Sequence, residues 1–280
     1  MNRSTTGTIW LCGMLGLFGL ANPALCRGDT HPASSPTWHV WHAENPDELW
    51  KLIHDGCAPA AARGVLPPAP CAEVDGVHRK GGYVVFKDRA GRYQYLVLPL
   101  ARITGIESPA LLAPDAPNYF ADAWTARLYV EAALHALQPR DVLSLVVNSA
   151  SGRTQNQLHI HVDCIRPDVH AALRRLLPGI GNTWQPLAAP LPPNGHRYEA
   201  MWIAGETLQE NPFKLLASSL RKGDSMARHS LIVVGAYSPE GKPGFILLSG
   251  HVDPAHHDRG SGDELQDLDC ALAMGSRVRP

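Results

Sequence analysis

The chain has 280 residues, with 25 Lys and Arg against 26 Asp and Glu, for a formal charge of −1. That balance excludes a protein built mainly to grip nucleic acid, which needs a strongly basic face. The length suits one large or two small domains with a sizeable core, and the 24 prolines and 25 glycines imply many short elements joined by turns.

Arg3 precedes the apolar run "IWLCGMLGLFGLANPALC" at 9–26. A basic start, an apolar stretch and small residues at its end describe an export signal. The run is at the short end for a bilayer span. Residues 1–26 are therefore read as a cleaved signal peptide or an N-terminal membrane anchor, and either one exports the body. A linker at 27–44, rich in Ser, Pro and Thr at 30–37, follows.

The segment "NPDELWKLIHDGC" has Asn45 to cap a helix, Pro46 at its first position and Gly56 past its end. Cys57 and Cys71 flank the Pro-rich stretch "APAAARGVLPPAP". "GGYVVFKDRAGRYQYLVLP" reads as a hairpin turning at "DRAG". Phe120, Trp124 and Leu128, four apart, predict an amphipathic helix ending near Pro139. "DVLSLVV" is a strand, and the polar turn "NSASGRTQN" leads into a second one. "RPDVHAALRRLLPG" is a helix opened by Pro167. A helix between Asn211 and Gly223, a hairpin at 228–249 and a closing helix over "GDELQDLDCALAMG" complete the chain. The hairpin at 228–249 resembles the one at 82–98 in length and pattern, which suggests an internal repeat.

The strand "TQNQLHIHVDC" at 154–164 carries the chemistry. Alternation sends Leu158, Ile160, Val162 and Cys164 to one face and Gln157, His159, His161 and Asp163 to the other. Two mechanisms suit such a row. In one, the imidazoles hold zinc, with further ligands drawn from "HVDPAHHD" at 251–258. In the other, one neutral imidazole attacks phosphorus, while the second histidine and the donors Asn148, Ser149, Thr154, Gln155 and Asn156 hold the phosphoryl oxygens. A polar strand face that only binds a ligand, without turnover, is a third reading.

Export also makes the cysteines interpretable. Cys57, Cys71, Cys164 and Cys270 are even in number and lie outside the targeting segment, as disulfides in an oxidising compartment require. Cys57–Cys71 would close the Pro-rich stretch. Cys164 points away from the His row and Cys270 lies near the C-terminus, so Cys164–Cys270 is the expected second bridge.

The segment "VVNSASGRTQNQLHIHVDCI" resembles the active-site stretch of the histidine triad superfamily, His-φ-His-φ-His after a Gly/Ser-rich turn. The resemblance implies an α+β fold, an antiparallel sheet with flanking helices, and makes His159 the nucleophile and His161 its phosphate-binding neighbour. Gln157 takes the first triad position. Asn148 falls on a phosphate-contacting Asn, and Thr154 on a hydroxyl residue near the leaving group. Asp88 matches an acidic residue that holds ribose hydroxyls, while Gln94 stands where many members carry another His. A narrower resemblance, over "PCAEV", "RITGIESP", "SGRTQN" and "CIRPDV", is to the bacterial CDP-diacylglycerol pyrophosphatases. It implies hydrolysis of CDP-diacylglycerol to CMP and phosphatidate in phospholipid metabolism, with no cofactor and no metal. The expected partner is a membrane surface rather than nucleic acid, and the expected place is the inner membrane with the body on the periplasmic side, or the periplasm itself. On this reading residues 45–190 form the catalytic half. Residues 191–280 are a degenerate second half that serves as an internal partner.

Overall fold

The computed structural model describes residues 45–275. The expected targeting segment at 1–26 and linker at 27–44 lie outside the described residues. Among the described residues, no helix is long and apolar enough to cross a membrane.

The first helical stretch runs through Glu48–Lys51 (α1), a π-helical turn at Leu52–Cys57 and Ala58–Ala62 (α2). It passes straight through Gly56, where the sequence suggested an end. Ile53 and Cys57 are fully buried, and that burial outweighs the roughly 1 kcal/mol that a helical Gly costs. Asn45 does cap locally, its side-chain oxygen accepting the Asp47 N–H at 3.1 Å. Cys57 is bridged to Cys71, so the predicted Pro-rich loop is half helix and tied back on itself.

The strands are β1 (Glu73–Asp75), β2 (Tyr83–Lys87), β3 (Tyr95–Pro99), β4 (Leu143–Val147), β5 (Ile160–Ile165), β6 (Gln185–Pro186), β7 (Tyr198–Ala204), β8 (His229–Tyr237), β9 (Pro243–His251) and β10 (Gln266–Asp267). They form one antiparallel sheet in the order β1-β2-β3-β5-β4-β8-β9-β7-β6, with β10 paired to the end of β5. The β4–β8 pairing at its middle joins the two halves of the chain. Outward from that pair the order is β4, β5, β3 on one side and β8, β9, β7 on the other. The 229–251 hairpin thus sits opposite β4–β5, not in a place equivalent to the 82–98 hairpin it resembles in sequence.

Helices cover both faces. On one, α3 (Tyr119–Leu134) and α5 (Pro212–Ser219) pack against a core shared by the two halves. Phe120 of α3 meets Phe213 of α5 with ring centroids 4.9 Å apart, and Trp124 meets Phe245 of β9 edge-on at 4.9 Å. Helix α3 stops at His135, which takes a left-handed conformation. Leu128 is half exposed, so the apolar stripe is narrower than the four-residue spacing predicted. Helix α5 likewise ends at Ser219, short of Gly223. On the opposite face, α4 (Pro167–Leu176) covers the second half of the sheet, and α1–α2 covers the outer strands of the first.

The predicted closing helix is only half present. Residues Gly262–Leu265 make a 3-10 turn, Gln266 and Asp267 form β10, and only Ala271–Gly275 is α-helical (α6). The stretch 262–267 is a strap lying back across the sheet, and Cys270, just beyond it, is bridged to Cys164 of β5. Gly262 makes this approach close, because a Cβ there would stand 2.9 Å from the Ile232 side chain and 3.1 Å from that of Val146 and would push them aside.

Candidate active site

Strand β5 begins at Ile160, one residue after His159. The predicted alternation holds from Leu158 onward: Leu158, Ile160, Val162 and Cys164 belong to the shared core, while His159 and His161 turn to the opposite face. Their ring centroids are 5.0 Å apart, in a T-shaped arrangement. Both line a cavity of about 650 Å³, together with Asp88, Gln94, Thr154 and Gln155.

The tautomer of His159 follows from its partner. Its Nδ1 lies 2.7 Å from the carbonyl oxygen of Gln157, and a carbonyl only accepts, so Nδ1 carries the proton. The Nε2 lone pair is left for a ligand. Burial lowers the pKa of this ring to about 4, and His161 adds to the effect. His159 is thus neutral at neutral pH. His161 is buried, and neither ring nitrogen has a hydrogen-bond partner. Native structures rarely leave such groups unpaired unless something binds them.

The other predicted residues divide by place. Asp88 makes a turn within "DRAG", its Oδ1 accepting the N–H groups of Arg89 and Ala90 at 2.6 and 3.2 Å. Gln155 is tied at both ends: its oxygen accepts the Leu49 N–H at 3.0 Å, and its Nε2 donates to the Asn45 carbonyl at 2.9 Å. It therefore holds the first helix beside the cavity. Gln157 is not on the cavity wall. Its amide nitrogen donates to the carbonyls of Pro99 and Ala101 at 2.9 and 3.0 Å, so it meets His159 through its backbone alone. Asn148 stands beside His159 in a small adjoining space, and its Oδ1 accepts the Asp263 N–H at 3.3 Å. The turn between them is braced by Arg153, which makes two hydrogen bonds of 2.6 and 2.7 Å to Glu107.

Sequence reasoning missed the strap. Asp263, Glu264, Gln266 and Leu268 line the same cavity, as do Arg89 and the apolar Leu49, Phe86 and Leu96. Gln266 Nε2 reaches the Ser144 carbonyl at 3.2 Å and the His161 carbonyl at 3.4 Å. Glu264 accepts hydrogen bonds from Tyr198, His196 and Asn194, all at 2.7–2.8 Å. One signal could have found the strap: the expected Cys164–Cys270 bridge implies that the residues just before Cys270 return to the His strand.

The zinc reading finds no support in the arrangement. Among the described residues, no third His, Cys, Asp or Glu ligand atom gathers with the His159–His161 pair, and His251 of "HVDPAHHD" sits with other residues.

A family described as CDP-diacylglycerol pyrophosphatase matches residues 44–274. The chain belongs to that family. A curated CDP-diacylglycerol pyrophosphatase from Yersinia pestis is 41% identical over 230 residues, covering 81% of this chain and 85% of the relative. The matched region takes in every cavity residue, from Leu49 to Leu268.

Proposed function

We propose that this chain hydrolyses CDP-diacylglycerol through a cytidylyl-histidine on His159. Family membership makes the protein a hydrolase of that pyrophosphate bond. The covalent route rests on one observation, the proton held on Nδ1 of His159 by the Gln157 carbonyl. The Nε2 lone pair attacks the phosphorus of the CMP moiety. An N–P bond forms, the P–O bond to the lipid phosphate breaks, and phosphatidate leaves. Water then attacks the same phosphorus and gives up a proton to solvent, the N–P bond breaks, and CMP departs while neutral His159 returns.

His161, Asn148 and backbone amides meet the phosphoryl charge as preorganised donors. Thr154 stands near the leaving group, Asp88 and Gln94 are the residues for the ribose side, and Leu49, Phe86 and Leu96 offer an apolar wall for the base. Two disulfides support an oxidising location. With the N-terminal apolar run, that favours the periplasmic face of the inner membrane. The matching order of β3-β5-β4 and β7-β9-β8 about the β4–β8 pair supports a histidine-triad-like fold whose second half stands in for a dimer partner.

The test uses CDP-diacylglycerol labelled at the CMP phosphorus. Rapid quenching in base, where a phosphoramidate survives, should trap one label per chain. His159→Ala should abolish the adduct and lower turnover by about 10⁴-fold or more. An adduct that persists in His159→Ala would move the nucleophile elsewhere.

A further inference from the structure

The second half of the sheet carries a histidine pair of its own, away from the cavity that holds His159. His229 opens β8, His251 closes β9, and the two are cross-strand partners with ring centroids 4.8 Å apart. Asp224, in the preceding turn, lies between their outer nitrogens. Its Oδ2 is 3.0 Å from His229 Nε2, and its Oδ1 is 3.3 Å from His251 Nε2. The ligand atoms of all three residues lie within 4.8 Å of one another.

The inner nitrogens fix what the outer ones offer. His251 Nδ1 is 2.9 Å from the Val252 carbonyl, which can only accept. In the neutral ring Nε2 is therefore a bare lone pair facing a carboxylate oxygen, a contact completed either by a proton on that ring or by a cation shared with Asp224. His229 Nδ1 is 2.8 Å from the Ser249 hydroxyl, which can accept and free the second Nε2 in the same way. Histidines that ligate metals are commonly oriented by such a bond from the other ring nitrogen.

We propose that Asp224, His229 and His251 bind a divalent transition-metal ion, zinc foremost, at a site separate from the hydrolytic cavity. Bond lengths of about 2.0–2.2 Å in a tetrahedral zinc site put ligand atoms about 3.3 Å apart, close to the spacings at Asp224. The three residues line a cavity of about 510 Å³, together with Glu199 and Arg197, which leaves room for a water beside a bound ion. The ion clamps the 224 turn to the ends of β8 and β9. That corner meets the phosphate-side turn, since Ala150 N–H donates to the Ala227 carbonyl and Val252 N–H to the Arg228 carbonyl. Its role is therefore to steady the corner, and the chemistry stays with His159.

The experiment uses untagged full-length protein, stripped with a chelator that is then dialysed away. Cobalt(II) serves as the probe, because low-coordinate sites of this ligand type give visible d–d bands. One equivalent should produce the bands, zinc should displace it, and zinc should raise the melting temperature by several degrees. His251→Gln and Asp224→Asn should lose the bands. His251 is partly exposed, so its variant should fold, and it should hydrolyse substrate at the wild-type rate. Ser249→Ala should weaken binding by about 10–100-fold. His159→Gln and His161→Gln should bind cobalt as wild type does. Absence of bands from the wild type, or their survival in both His251→Gln and Asp224→Asn, would overturn the site. So would a ring-nitrogen NMR spectrum showing His251 Nε2 protonated in the presence of zinc.

Discussion

His161 and Leu248 stand in one transverse row of the sheet, on the same face, yet one lines a cavity and the other lies in a closed core. The row runs Phe86, Leu96, His161, Val146, Ile232, Leu248 and Ala200, each opposite the next on the neighbouring strand. The backbone is the same kind of ladder throughout. What differs is the cover. Over Ile232, Leu248 and Ala200, helix α4 brings down Val169, Ala172 and Leu173, with Leu187 and Leu191 beside them. Over Phe86, Leu96 and His161, the first helix stands to one side and the strap to the other, and a cavity remains. A buried site and a hydrophobic core are thus alternative ways of finishing one sheet face. The site half leaves both ring nitrogens of His161 without a partner from the protein, facing the cavity.

The harshest way to break the comparison is to remove the covered half. A chain ending near Pro190 keeps His159 and His161 but loses β7, β8 and β9, the strap and Cys270. It also strips Phe213, Leu231, Val233, Phe245 and Leu247 from the shared core and leaves β4 as a bare edge that invites aggregation. The fragment is expected to be insoluble or wholly inactive in a CMP-release assay. A soluble fragment with the full-length rate would make residues 191–280 a separate module.

Single substitutions in the row should separate its two ends. His161→Ala should cut turnover by about 10²–10³-fold, as losing a charge-stabilising donor does, with no loss in melting temperature. Leu248→Ala should do the reverse, costing about 2–5 kcal/mol in a denaturant titration while keeping kcat. If both variants lose stability and keep rate, His161 is a packing residue.

Much of the site could be read from local pattern, because alternation along one strand is a local property. The apolar face of Leu158, Ile160, Val162 and Cys164 and the opposite placement of the two histidines needed only the period of a strand. Both disulfides were legible for a related reason, since the side of the strand on which Cys164 lies limits what it can reach. The departures come from long-range contacts. Gln157 falls in register with the histidines, but it lies before the strand begins, and the carbonyls of Pro99 at the end of β3 and of Ala101 just beyond it capture its amide. In "GDELQDLDCALAMG", spacing that suits a helix yields to pairing with β5 and to the Cys164 bridge. The contribution of Asp263, Glu264 and Gln266 was invisible because they lie about a hundred residues from the strand they serve. The left-handed stop at His135 also lacks the usual Gly signal.

The smallest expected effect concerns Asp163, the next residue on the histidine face and a group the chemistry does not use. It is fully buried; its Oδ1 accepts the Cys164 N–H at 2.8 Å, and its Oδ2 has no partner. Burial pushes its carboxyl from 3.8 up to about 8, against the Cys164 hydrogen bond, with Asp267 adding to the rise. The folded protein thus holds a proton that the unfolded chain releases above 3.8. Stability from this group is complete below that pH and is lost as the pH climbs through about 8. Asparagine keeps the acceptor for Cys164 N–H and cannot ionise. Asp163→Asn should therefore match the wild type near pH 4 and gain on it steadily, reaching an advantage of about 1–3 kcal/mol by pH 8 to 9. Hydrolysis at neutral pH should be nearly unchanged, because the carboxyl is already neutral there. Urea titrations of both proteins across that range measure the difference. Parallel curves would mean that Asp163 ionises as an ordinary surface carboxylate does, and that the histidine face is wetter beneath His161 than its burial indicates.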